Sequence, residues 1–397
     1  MFFKVLLLLP AFWSIVAGNP LHPSDVSAKA TGGHSSNALL PRLLDARAVA
    51  PVLDFSQSSY IWTGEQTGTA HTAPAGMRPF RVEIPSSATK CPTCATIIVA
   101  WYIVSLSLSL IRLYSYMPSD DQCPVYVNGR QIGTGRSPQQ EAVVYTAGLN
   151  RDNKNVFAIG VSNTAEGSAG LIATIHVDYT DGTTETVVSD STWKTLRGVA
   201  PGGWTSSGFD DSAWTAADVE GPSTASPWVS PALPPAINMT TAGWLQTDEN
   251  VSSGSAPRGH RPFRKTFTSP YGKVAVCGKI VLSVEDSYTL YVNGKTIGTG
   301  STWRAMQAYS LPELDPNVNV VAVDGANARE NSRVWLGAGL LIAYNDGSSE
   351  TYYTDASWKT LNALPPAGFE QPDADDSEWV VPTIWGPVAH DATVPNA

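Results

Sequence analysis

The chain has 397 residues, 43 % apolar and 15 % charged, which is enough apolar side chain to build cores and excludes wholesale disorder. Its formal net charge of −10 excludes a general basic surface for nucleic acid. Four cysteines are too few for a disulfide scaffold and lack zinc-finger spacing.

Residues 1–18 open with one lysine, run through an apolar stretch and end on Ala17 and Gly18. This is the pattern of a secretory signal peptide, so the mature chain is expected outside the cell or in a cell wall, with no membrane attachment once the leader is gone. Asn238-Met239-Thr240 and Asn250-Val251-Ser252 are N-glycosylation sequons that suit this route. Residues 19–54 are rich in Ser, Ala, Pro and Gly without sustained periodicity, and are expected to be a disordered spacer or pro-segment.

Beyond residue 54 the sequence is one unit written twice. Arg78-Pro79-Phe80-Arg81 recurs as Arg261-Pro262-Phe263-Arg264, and YVNGRQIGTG (126–135) recurs as YVNGKTIGTG (291–300). Asp190-Ser191-Thr192-Trp193 recurs as Asp355-Ala356-Ser357-Trp358, Asp210-Asp211 as Asp375-Asp376, and Gly221-Pro222 as Gly386-Pro387. The offset of 165 from YVNG to the closing Gly-Pro marks a tandem duplication. The expected organisation is a first sandwich over 55–222, a Pro/Ser-rich semi-rigid linker over 223–236, a second sandwich over 237–390 and a tail over 391–397, each repeat large enough to fold alone.

Within each repeat the signals are strands. Lys279–Val284, Tyr288–Val292, Asn319–Val323 and Leu340–Tyr344 are β-branched, aromatic or apolar runs punctuated by Asn293-Gly294 and Asp346-Gly347. They predict an all-β chain of two tandem antiparallel β-sandwich, jelly-roll domains. One stretch has no counterpart: Arg78 to Asn128 spans 50 residues where Arg261 to Asn293 spans 32. Removing the excess aligns the repeats without gaps, and we read 101–119 as a translated intron, with a loop insertion or a membrane-spanning helix as alternatives. On that reading Cys91, Cys94 and Cys123 are disulfide candidates within the first repeat, and Cys277 is an unpaired buried thiol.

The candidate chemistry is sparse. Adjacent carboxylates such as Asp210 and Asp211 point to opposite sides of an extended strand, so they are expected to cap loops rather than share a bond. No catalytic residue is assigned and no metal ligand; a structural calcium is the one ion left open. Trp62/Trp244, Trp193/Trp358 and Trp214/Trp379 read as equivalent core residues of the two repeats. Trp303 and Trp335 occur in the second repeat only, beside Arg304, Asn327, Glu330 and Arg333; the first repeat offers Asn163 and Glu166 instead. A flat aromatic beside amide, carboxylate and guanidinium groups is what a sugar site requires, since the ring stacks on C–H groups while the polar groups hold hydroxyls.

The order Arg-Pro-Phe-Arg, Tyr-Val-Asn-Gly, Asp-x-Ser-Trp-Lys (Asp355–Lys359), Asp-Asp-Ser-x-Trp resembles the galactose-binding-like β-sandwich modules accessory to α-L-rhamnosidases and β-galactosidases. The resemblance implies a binding module in tandem duplicate without its catalytic domain. The expected function is a secreted, non-catalytic, lectin-like protein whose partner is a polysaccharide or glycoconjugate. A secreted glycoside-active hydrolase or an adhesive cell-wall protein are the alternatives.

Overall fold

The computed structural model describes residues 50–395, apart from positions 51, 69–70, 86, 88, 106–121, 136–140, 226–229, 236, 250–257, 330–333 and 389–393. The described strands form four sheets, two per repeat, and every strand-to-strand pairing is antiparallel. In the first repeat the strands Asp218–Pro222, Ser59–Trp62, Gly167–Tyr179, Pro92–Ser105 and Val143–Gly148 run side by side in that order. They face a sheet built around Gly76–Ile84, Asn155–Asn163 and Cys123–Val127. The second repeat repeats this plan, with Ala275–Val284, Trp335–Tyr344 and Gly243–Gln246 facing Ser287–Val292, Val318–Asn327 and Gly259–Thr268.

Side-chain alternation decides which face each strand buries. Cys123–Val127 alternates buried and half-buried residues, as does Ser287–Val292. The central strands Asn155–Asn163 and Gly167–Tyr179 are covered on both faces and buried almost throughout. Both Tyr-Val-Asn-Gly turns are two-residue hairpins with left-handed backbone, at Asn128 (φ 51°) and Gly129 (φ 85°), and at Asn293 (φ 50°) and Gly294 (φ 76°). Positive φ at both central residues matches the twist of the flanking strands, which is why Asn-Gly recurs there. Each Asn also accepts a backbone N–H from the neighbouring strand, from Val156 and Val320, both at 2.8 Å.

Several expectations change. Residues 101–105 do not protrude: they extend the strand Pro92–Ser105, where Trp101 and Ile103 are buried in the inter-sheet core. The rest of the unmatched stretch lies outside the described residues. The segment read as disordered up to residue 54 is packed from Ala50 onward. Ala50 donates its N–H to the Ala308 carbonyl at 2.8 Å, and Leu53 is buried against Tyr60, Ile98 and Ile172. The linker docks on the first repeat as well, because Ala232 accepts the Ala142 N–H at 2.8 Å and Leu233 packs beside Phe55. In each case apolar side chains cover the outer face of a sheet. Trp62 and Trp244 are not equivalent. Trp62 pairs with Asp218, whose counterpart Thr383 pairs with Gln246, so Trp244 matches Tyr60.

The repeats meet at equivalent residues. Cys94 pairs in register with Asp178, and Cys277 with Ala343, which is the same place in the second repeat. Cys94 and Cys277 are joined in a disulfide, while Cys91 and Cys123 are free. The expectation of bridges within the first repeat and an unpaired Cys277 is therefore wrong: Cys94 and Cys277 hold equivalent places in the two repeats, and the contact joins that one position to itself, as an isologous interface does. Near the bridge two groups of opposite charge, Lys279 and Asp178, are buried. Burial pushes the Lys279 ammonium down to about 8, opposed by Asp178, and burial pushes the Asp178 carboxyl up, opposed by Lys279 and a Ser310 hydrogen bond.

The bridge closes a loop of 183 residues, so Cys277→Ser is expected to cost about 3–5 kcal/mol of unfolding free energy. Thiol counting tests the pairing. The denatured, unreduced chain should alkylate at two cysteines and the reduced chain at four; a Cys91–Cys94 peptide cross-link would contradict it.

Candidate functional site

Three tryptophans converge on the outer face of the second repeat. Trp244 lies on Gly243–Gln246, Trp335 opens Trp335–Tyr344, and Trp385 lies on the edge strand Thr383–Pro387. The strands that carry them are hydrogen-bonded neighbours. Ring centroids are 6.0 Å apart for Trp244 and Trp335, and 6.4 Å for Trp335 and Trp385, the latter pair stacked at 25°. Burial falls along the series: Trp244 is buried, Trp335 half-buried, and Trp385 52 % exposed. The inner two rings cover apolar surface with Met239, Ile237 and Val388, and this packing presents the outer ring in a fixed orientation.

Polar groups follow Trp244 along the chain. Trp335 donates its indole N–H to Gln246 Oε1 at 3.3 Å, and Gln246 is its direct cross-strand partner. Two residues on, exposed Asp248 accepts a hydrogen bond from Asn362. Next to it Glu249 takes Arg261 in a two-point ion pair, with bonds of 2.6 and 2.9 Å. The first repeat keeps this last feature as Glu65 and Arg78, at 2.5 and 3.0 Å. The Arg78 hydrogen bonds hold the Glu65 carboxyl below its ordinary value against the opposing effect of burial.

The residues singled out from sequence separate. Trp303 reaches the same sheet as Trp335: its carbonyl accepts the Ser283 hydroxyl at 3.1 Å, and Ser283 pairs with Gly337, two residues from Trp335. Arg304 lies over the Trp303 ring at 5.4 Å, so it covers that ring rather than facing Trp335. Asn327 and Asn163 are buried on the facing sheets, opposite Gly259 and Gly76. Asn327 accepts the Arg329 N–H at 3.1 Å, and Asn163 donates to the Ala73 and Pro74 carbonyls at 3.2 and 3.1 Å. Both close strand ends. Glu166 is exposed on the first repeat. Glu330 and Arg333 lie outside the described residues, as does Asn250; Asn238 is exposed and accepts the Thr240 N–H.

Trp385 was missed from sequence. Its signal was present: Ile384-Trp385-Gly386-Pro387 aligns with Val219-Glu220-Gly221-Pro222, so it is an unshared aromatic beside a shared Gly-Pro. In the first repeat Glu220 pairs instead with His71 at 2.7 Å, and Gly170 stands at the position of Trp335. Burial raises the Glu220 carboxyl, opposed by His71.

The repeated carboxylates are structural in geometry. Asp210 and Asp375 accept the N–H groups of Ser212 and Ser377, both at 2.9 Å. Their neighbours turn inward: Asp211 binds Arg81 at 2.8 Å and Lys194 at 2.6 Å, and Asp376 binds Arg264 at 2.8 Å and Lys359 at 2.7 Å. The buried Arg81 also donates to the Trp204 and Ser206 carbonyls, which fastens the aromatic loop of Trp204, Phe209 and Trp214 onto the sheet. Among the described residues no three of His, Cys, Asp and Glu converge as a metal site.

Comparison with known proteins places this geometry. No protein-family model matches the chain. A lectin from Pleurotus ostreatus, solved in complex with GalNAc, is similar over 88 % of this chain and 98 % of its own, at 36 % identity and a TM-score of 0.74. The ligand-free form of the same lectin gives 37 % identity and a TM-score of 0.74, over 87 % of this chain and 96 % of that one. Among curated proteins, an α-L-rhamnosidase of Streptomyces avermitilis is 25 % identical over 214 residues, half of this chain and 19 % of the enzyme. The chain thus matches about a fifth of the length of that relative.

The Arg81 anchor yields a stability prediction. Burial raises the Asp211 carboxyl, but hydrogen bonds from Lys194 and Arg81 outweigh it and the net shift is downward. A depressed carboxyl stabilises the fold above its unfolded value near pH 4, and that contribution disappears as pH falls through the folded value. Asp211→Asn leaves Arg81 buried without its acid and should cost about 3–5 kcal/mol at pH 7. Denaturant melts at pH 7 and pH 3 should show the deficit shrinking at the lower pH. An equal deficit at both would contradict the ion-pair account.

Proposed function

The chain is of the galactose-binding-like β-sandwich type, repeated in tandem, and on that premise we propose that it is a secreted, non-catalytic, lectin-like protein that binds a polysaccharide or glycoconjugate. The observation that carries this reading is the exposed Trp385 ring, held against Trp335 on a rigid sheet. An indole face offers an apolar plane to the C–H side of a pyranose, and loss of water from both surfaces drives the stacking. Asp248, two residues on from Gln246, and Asn362, hydrogen-bonded to it, are the polar groups this reading assigns to hydroxyls. The Pleurotus lectin, solved with GalNAc, makes that sugar the first ligand to test. Secretion is supported by the leader-like sequence of residues 1–18 and by the Cys94–Cys277 bridge, which suits an oxidising compartment. The paired acids Asp211 and Asp376 are tied to Arg and Lys side chains, which favours binding over hydrolysis at those positions.

Glycan-array and calorimetric titration of the whole chain test the proposal. The parent should bind galactose-type sugars, and Trp385→Ala, a surface change, should weaken binding about fivefold or more with an unchanged melting temperature. No glycan bound by the parent, or full binding by Trp385→Ala, would overturn the site.

A further inference from the structure

A cleft of about 330 Å³ lies where the first repeat's Asn-Gly hairpin meets the second repeat. It is lined by Asn128, Arg130, Asn150 and Ser207 from one side and Tyr344 and Asn345 from the other. Its size falls in the range of small-molecule pockets. Arg130 is its one charged lining residue and is exposed. Among the described residues no carboxylate forms an ion pair with it. The turn across the cleft packs on the Arg130 stem: a Cβ at Gly347 (φ +82°) would lie 3.6 Å from Arg130 Cδ. The acid of that turn, Asp346, is engaged by the Ser348 N–H and hydroxyl at 2.9 and 2.6 Å. Asn345 accepts the Val274 N–H at 3.1 Å, which fixes its amide at the rim.

The duplication supplies an internal comparison. The equivalent hairpin of the second repeat lines another cleft with Asn293 and Lys295, facing Arg151. There Glu313 and Asp315 join the lining, and Glu313 pairs with Arg151 at 3.6 Å. That cleft is neutralised from within. The first keeps an uncompensated guanidinium among neutral amides, in a protein of net charge −10. A guanidinium fork matches a carboxylate at two points, and amides and a hydroxyl suit the ring hydroxyls of a sugar.

We propose that this cleft is a second saccharide site, distinct from the tryptophan face, and that it takes a carboxylate-bearing sugar of the hexuronate class. The carboxylate pairs with Arg130, and Asn150, Ser207 and Asn345 hold the hydroxyls. Because the lining comes from both repeats, the site exists only while the repeats are docked.

Calorimetric titration of the whole chain at low salt tests this, with methyl β-D-glucuronide, methyl β-D-glucoside and acetate as probes. The glucuronide should bind. Arg130→Gln should weaken it about tenfold or more, the scale of a charge-assisted hydrogen bond, while Lys295→Gln and Trp385→Ala leave it unchanged. Glucuronide binding no tighter than glucoside, or unaffected by Arg130→Gln, overturns the site. Acetate binding as well as glucuronide overturns the sugar class. Loss of glucuronide binding in Trp385→Ala would place the uronate on the tryptophan face instead. GalNAc binding that depends on Trp385 and not on Arg130 keeps this test separate from that of the lectin reading.

Discussion

Cys94 and Cys277 are the same residue of a duplicated sandwich, and the two copies are joined there. A contact between equivalent faces leaves every other face present twice, once per repeat, in matched surroundings. The hairpin clefts flank the contact for this reason, and so do the outer sheet faces that Leu53 and Ala50 cover on the first and second repeats. The charges at the contact break the symmetry. Lys279 and Asp178 each come from one repeat, where the other has Thr96 and Ala343, so the buried charges that influence each other there are of opposite sign.

What the repeats share builds the fold, and what they do not share builds the candidate sites. Arg81 and Arg264 both bind the second acid of the Asp-Asp-Ser loop and pin an aromatic cluster to the sheet. At the outer face the copies differ: Tyr60, Gly170 and Glu220 in one, Trp244, Trp335 and Trp385 in the other. The half-buried His71–Glu220 pair is polar, whereas the tryptophan series ends in the half-exposed apolar plane of Trp385.

The strands, the hairpins and the duplication were legible because period-two burial and Asn-Gly turns are local signals. Trp335 was legible as an unshared aromatic. Trp385 meets the same criterion, since its counterpart in the first repeat is Glu220, but it adjoins a shared Gly-Pro that reads as a strand end. The Cys94–Cys277 bridge was not legible. Pairing depends on which faces of two domains meet, and nothing in the strand pattern encodes that. The docking of Ala50 and Leu53 was hidden for a related reason: a short segment without periodicity folds here by covering another element's apolar face. Asn327 and Asn163 are buried amides at strand ends, and in sequence such an amide looks the same as one that meets a ligand.

The most direct test of the account is a crystal structure of the chain with the tightest galactose-type ligand found on the array. The account predicts a pyranose ring with its C–H face on Trp385 and its hydroxyls turned toward the Gln246–Asp248 segment. A sugar seated at the first repeat's His71–Glu220 pair, with the Trp385 ring bare, would contradict it.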